Sequence, residues 1–201
     1  MKNQHEYQKR DIYDMLRAWT LQTGMEESEW RRLAELTAVK FVPKGTRLIE
    51  AGEHVTSGYF CGQGLFRLFY TLEDGQEYNV GFSLENDYVT SYGAMVTGRP
   101  SAYTVEAMED SAVIDISQSA LTALTAHSLS WERFIRHCVE RLYIRKEERE
   151  RELLYLSARE RYEAFLLKYP GLDRRIPQYH IASYIGVSPV SLSRLLRSKR
   201  N

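Results

Sequence analysis

Apolar side chains recur at helical spacing early in the chain: Ile12, Met15, Leu16 and Trp19, then Trp30, Leu33 and Leu36. This predicts one or two short amphipathic helices from about Asp11 to Ala38. From Val39 the period changes to two. Leu65, Arg67 and Phe69 alternate with Phe66, Leu68 and Tyr70, and Gly, Pro and Asp-Gly punctuate β-branched and aromatic runs as far as Ser117. Asp74-Gly75 predicts a two-residue hairpin turn before a strand from Glu77 to Phe82, and Gly62-Gln63-Gly64 reads as another strand turn. Many short strands at such spacing predict a small antiparallel roll or barrel.

Strand signals stop near Ser117. A short helix is expected over Ser119 to Ala126 and a long one from about Ser130. Ile135, Cys138 and Leu142 give the long helix an apolar stripe at its start, and Leu153 and Leu156 resume one at its end. Its middle is nearly all charge, where pairs such as Glu147 with Arg151 add only a few tenths of a kcal/mol. A helix of this length needs a partner along its stripe. The roll would cover one flank and a second copy of the helix the other, giving a two-fold dimer; the alternative is a solvated strut within a monomer. Ser157-Ala158-Arg159-Glu160 then forms a capping-box pattern for a helix from Ala158 to Tyr169, which Pro170-Gly171 ends.

In the final stretch, Ile181-Ala182 and Ile185 give one helix a buried side, Gly186 suits the left-handed conformation of a tight turn, and Leu192 and Leu195 face inward from a second helix. Ser188 is a favoured N-cap, and Pro189 at the first helical position loses no hydrogen bond. This is the spacing of a helix-turn-helix. The same spacing also fits a plain helical hairpin covering a core, and charge separates the two readings. From Gly171 onward six cations, Arg174, Arg175, Arg194, Arg197, Lys199 and Arg200, stand against Asp173 alone, a net +5. Before Trp131, 11 Lys/Arg stand against 18 Asp/Glu, a net −7, so the formal neutrality of the whole conceals an acidic body with a basic end. Such an end suits phosphate contacts.

At 201 residues, 43% apolar and 27% charged, the chain has material for one good core or two small ones. No run approaches the roughly 18 apolar residues of a membrane span. The polar start MKNQHEYQKRDIYDML lacks an apolar signal core, so a cytoplasmic, non-membrane protein is expected. Cys61 and Cys138 are isolated thiols without CxxC spacing, and the five histidines show no i, i+4 pair and read as surface or capping residues. No metal, no cofactor and no catalytic residues are expected: there is no nucleophile and base motif and no Gly-rich phosphate loop of the required form.

In its order of parts the chain resembles the cyclic-AMP receptor protein and fumarate-nitrate regulator (Crp/Fnr) family of bacterial transcription factors, over about Phe41 to Arg197. The pieces that carry the resemblance are Pro43-Lys44-Gly45 and Ala51-Gly52-Glu53, Gly62 and Gly64 before the Leu65 strand, SARERY from Ser157 to Tyr162, and the helix-turn-helix. It implies an α+β fold: an antiparallel β-roll of the cyclic-nucleotide-binding jelly-roll type with flanking helices in residues 1–129, a long linking and dimerisation helix in 130–156, and a helix-turn-helix in 157–201. The chain ends soon after Leu196, so a full β-hairpin wing is not expected.

The family's nucleotide cassette pairs a Gly-Glu with an Arg that meets the cyclic phosphate. Aligning Ala102 and Thr104-Val105 places Ser101 where the Arg belongs and Ser91 where the Glu belongs. A buried phosphate without a paired cation is costly, so cyclic AMP is not expected to bind in the family manner, unless Arg99 reaches the site by a shifted loop. A surviving pocket would be lined by Ser91, Tyr92, Arg99, Ser101, Tyr103 and Thr104 for an unidentified small effector; the same residues also fit as filling of the roll. The resemblance puts the base-reading positions on Pro189, Val190, Ser191 and Arg194. Pro189 and Val190 stand where relatives often carry Arg and Glu; Val190 suits a thymine methyl and Arg194 a guanine. Ser188, Arg197, Lys199 and Arg200 would hold phosphates. Implied partners are double-stranded DNA with palindromic operators, a second copy of the chain, RNA polymerase and the effector. A different class of function also fits: a signalling adaptor whose roll binds a ligand or protein and whose helical tail only docks.

Overall fold

The computed structural model describes residues 2–126 and 128–197, with side chains from Lys9 onward. Two helices, α1 (Lys2–Gln22) and α2 (Glu27–Leu36), come first. Helix α1 starts well before Asp11 because its polar first half is rich in Lys, Gln and Glu, which favour helix without needing a buried face. Ala38 does not extend α2: it opens β1 (Ala38–Val42). The further strands are β2 (Arg47–Ile49), β3 (Ser57–Gln63), β4 (Phe66–Thr71), β5 (Glu77–Ser83), β6 (Asp87–Val89), β7 (Thr104–Ala107) and β8 (Ser111–Ser117).

These strands form two four-stranded antiparallel sheets, ordered β1-β8-β3-β6 and β2-β7-β4-β5. Their facing sides enclose Val42, Cys61, Phe66, Val105 and Val113, as the alternating pattern requires. The hairpin joining β4 to β5 differs from the two-residue turn expected. Leu72 and Gln76 close a three-residue loop, with Gly75 N–H donating to the Leu72 carbonyl at 2.9 Å and Gly75 at φ 83. Gly75 takes the left-handed position that follows a type I turn, and Asp74 Oδ1 caps the Gln76 amide at 2.9 Å. At the β3–β4 turn Gly64 has φ 111, and a Cβ there would meet Ser111. Gly62 makes room for α1: a Cβ would lie 2.3 Å from Ile12 Cγ2.

A second layer covers the outer face of the first sheet. Ile12, Leu16, Leu33, Phe60, Ile114 and Trp131 form its core, and Trp131 Nε1 donates to Glu29 at 2.8 Å. Helix α3 (Tyr92–Thr97) lies between β6 and β7, and α4 (Gln118–Thr125) follows β8. The long helix α5 (Leu129–Tyr155) buries Trp131 and Phe134 at its start, whereas Tyr143 and Ile144 in its middle are 62% and 51% exposed. Helices α6 (Ala158–Lys168), α7 (Gln178–Ile185) and α8 (Pro189–Arg197) complete the described chain, with a 3-10 turn over Leu172–Arg174. Among the described residues no helix is long and apolar enough to cross a membrane.

Candidate nucleic-acid interface

Helix α6 begins as the sequence pattern requires. Ser157 Oγ accepts the Glu160 amide at 3.3 Å while Glu160 Oε2 accepts the Ser157 amide at 2.7 Å, and these bonds hold the Glu160 carboxyl below its usual pKa. Arg161, one turn later, donates to the Leu156 carbonyl at 2.7 Å and the Ile185 carbonyl at 2.6 Å, so it ties the end of α5 to the end of α7. A cation is well placed at two carbonyl-rich helix ends.

Ile181, Ala182 and Ile185 of α7 are at most 1% exposed, and Leu192 of α8 is fully buried against them. Between the two helices Gly186 adopts φ 72 and ψ 41, and the Val187 amide returns to the Ala182 carbonyl at 3.0 Å. That closure turns the chain sharply enough for α8 to cross α7. Ser188 Oγ accepts the Ser191 amide at 3.1 Å, which makes Ser188 the N-cap and Pro189 the first helical residue. With Leu192 inward, α8 turns Ser188, Pro189, Val190, Ser191, Arg194 and Arg197 to solvent. Val190, Arg194 and Arg197 follow one another at i, i+4 and i+7 along this face. Lys199 and Arg200 lie outside the described residues.

Charge at this end is less free than the sequence count implies. Arg175 reaches back to the roll, donating to Glu85 at 2.9 and 3.1 Å and pairing with Glu109 at 2.5 Å, so it is not available to a phosphate. His180 is another correction: it is 6% exposed rather than a surface residue. Asn79 of β5 donates to its Nδ1 and carbonyl, both at 3.1 Å, and the Ser183 hydroxyl accepts the Asn79 amide at 2.9 Å. Burial, helped by the Arg67 guanidinium, lowers the His180 pKa to about 4. Leu65 and Phe82 of the roll share one core with Phe165, Leu172, Ile181 and Leu192. None of these ties was legible in the sequence, because each joins residues 66 or more positions apart.

In the roll, the six cassette residues separate. Ser91, Tyr92, Arg99 and Tyr103 line a groove of about 420 Å³ that α5 closes with Val139, Leu142 and Lys146. Ser101 and Thr104 are buried and already bonded: Ser101 Oγ donates to the Tyr103 carbonyl at 2.7 Å, and Thr104 Oγ1 accepts the Ala51 amide at 3.2 Å. Tyr103 donates to the Thr90 carbonyl at 2.8 Å, and burial raises its phenol pKa. Arg99 and Lys146 are both exposed. Lys146 comes to the groove from another element, so no local pattern marks it.

Residues 39–128 match the cyclic nucleotide-binding domain family. The fumarate nitrate reduction regulatory protein of Klebsiella oxytoca is 27% identical over 175 residues, 78% of this chain and 66% of that protein, just under two thirds of its length. Among solved structures, FixK2 from Bradyrhizobium japonicum superposes with TM-score 0.70 at 20% identity, covering 81% of this chain and 83% of that one. A Crp/Fnr-family regulator from Eubacterium rectale gives 0.70 at 16% identity, covering 90% and 86%. The chain therefore has the fold of the Crp/Fnr regulators, with a stretch similar to the cyclic nucleotide-binding domain family inside it.

Proposed function

We propose that this chain is a cytoplasmic DNA-binding transcription regulator of the Crp/Fnr type, acting as a homodimer joined along α5 and independent of cyclic AMP. The observation that carries the reading is the outward face of α8, where Val190, Ser191, Arg194 and Arg197 stand exposed on a helix whose opposite side is locked against α7. In this reading residues 1–129 sense, 130–156 dimerise and 157–201 bind DNA. Arg194 contacts a guanine, Val190 a thymine methyl, and Ser188, Arg197, Lys199 and Arg200 hold phosphates. RNA polymerase and a small effector are the further partners. Two-fold pairing sets the recognition helices about 34 Å apart, one turn of DNA.

Selection of bound fragments from a genomic library at moderate salt tests this directly. A palindromic consensus with half-sites one turn apart is expected; binding without sequence preference would instead support an adaptor. The independence from cyclic AMP rests on Ser91 and Ser101 standing in place of the charged pair, and on Arg99 and Lys146 remaining solvated at the groove's rim. Titration calorimetry with cyclic AMP and cyclic GMP should show no binding, and micromolar affinity for either would overturn it.

A further inference from the structure

A groove of about 610 Å³ runs between the end of α1 and the first half of α5. Trp19, Gln22 and Thr23 form one wall. Arg133, Arg136, His137, Glu140 and Arg141 form the other, and none of these residues lines the cassette groove. The helix-turn-helix meets α5 near Leu153, where a Cβ at Gly186 would touch its side chain, twelve residues and roughly 18 Å of helix beyond Arg141. The groove is therefore separate from the exposed face of α8.

Three guanidiniums and one carboxylate line it. Arg136 and Glu140 lie 3.6 Å apart with side chains 71% and 60% exposed, an i, i+4 pair that water leaves weak. Arg133 and Arg141 have no carboxylate partner among the described residues, although the chain before Trp131 carries a surplus of acid. Arg141 stands over the Trp19 ring at 5.7 Å, and that ring is wedged against Phe60, Tyr88 and Phe134 with centres 6.3, 5.1 and 5.0 Å away. The indole is a fixed support, so Arg141 is held in place before anything binds. Helix α1 has no basic residue in its last turn, and a neighbouring cation would offset its dipole. One cation serves that purpose, at about 0.3–1 kcal/mol, so three exceed what the helix requires. Like charges gathered on one helix face repel, and a multivalent anion removes that cost. Arginine forks match phosphate oxygens two at a time. A protein segment would also need apolar anchors, and the one indole of the groove already carries Arg141.

We propose that this groove binds a chain of linked phosphates, free or carried on a nucleoside, held chiefly by Arg133 and Arg141 with Gln22 at the opposite rim. Arg133 and His137 stand about three and about two turns before Ile144 and share its side of α5. In the homodimer proposed above that side is the seam, so pairing brings like charges together and a bound polyphosphate eases it. This consequence rests on that reading; the binding itself does not.

The test is calorimetric titration of the full chain, at fixed ionic strength, with tripolyphosphate, orthophosphate, ATP and hexaglutamate. Tripolyphosphate should bind at micromolar concentration and orthophosphate at least roughly tenfold more weakly, about 1.4 kcal/mol. ATP binding as tightly assigns a chain carried on a nucleoside, and tripolyphosphate binding alone assigns a free one. No binding of tripolyphosphate, or hexaglutamate binding as tightly, would overturn the proposal. Arg133→Gln and Arg141→Gln should each weaken tripolyphosphate roughly tenfold, and unchanged affinity in both would remove the site. Gln22→Glu sets a carboxylate on the opposite wall and should weaken it too; retained affinity there would place the anion outside the groove. Arg194→Ala should leave the titration as it is, whereas a loss would put the anion on α8 and overturn the site. Sedimentation with and without tripolyphosphate then reads the effect on pairing. More of the two-copy species is expected, and no change would overturn that effect while the titration stands.

Discussion

Arg194 and Arg197 share the outward face of α8, yet they should fail differently when removed. Arg194→Ala is expected to relax preference at one base pair per half-site, worth about 1–3 kcal/mol of discrimination, whereas Arg197→Ala should weaken all sequences alike. Competition binding against single-base operator variants separates the two outcomes. His180 predicts a pH effect whose sign follows from its neutral, buried state. Its folded pKa of about 4 lies below the ordinary 6.5, so the unfolded chain takes up the proton first and stability falls as pH drops from about 6.5 toward 4. Arg67 opposes the charge and Glu77 partly favours it. Urea midpoints across that range should fall more steeply for the parent than for His180→Gln. At this scale the sequence was most readable where a residue answers to near neighbours. Gly186, Ser157 and Pro189 take the roles that local backbone geometry demands. His180 was misread because its environment is set by Asn79, 101 residues away.

Helices and strands were legible in order and kind because their periods are local properties of the chain. Their ends and joints were less so. Asp74-Gly75 marked the hairpin correctly, but the dipeptide does not by itself choose between a two-residue turn and a type I turn followed by a left-handed Gly75, which is the form adopted. Arg161 stood in plain view within SARERY, while the two carbonyls it holds, at Leu156 and Ile185, belong to separate helices that only folding brings together. Arg161→Met should therefore loosen the joint between α5 and α7. A loss of about 1.5–3 kcal/mol is expected from hydrogen bonds made by a charged group, read as a lower thermal midpoint with α6 still helical.

As a whole, the molecule pairs a basic carboxyl end with an acidic roll, and α5 leaves Tyr143 and Ile144 uncovered. If those side chains form the seam of a dimer, Ile144→Glu should shift the sedimentation of the chain from two copies to one. It should also cost the preference for paired half-sites over single ones. The charged middle of α5 hid this face from periodicity, since Tyr143 and Ile144 stand between arginines and glutamates. Equally hidden was the union of roll and helix-turn-helix in one core, because Phe82 reads in the sequence like any inward residue of a strand. Its ring instead lies 6.2 Å from Phe165 and 5.6 Å from Tyr184, beneath the clamp that Arg175 makes with Glu85 and Glu109. Swinging α6 and α7 away from the roll would thus wet Phe82 and carry a positive heat-capacity increment. Operator association that demands such a swing would be distinguishable, by the temperature slope of its enthalpy, from association that uses the molecule as it stands.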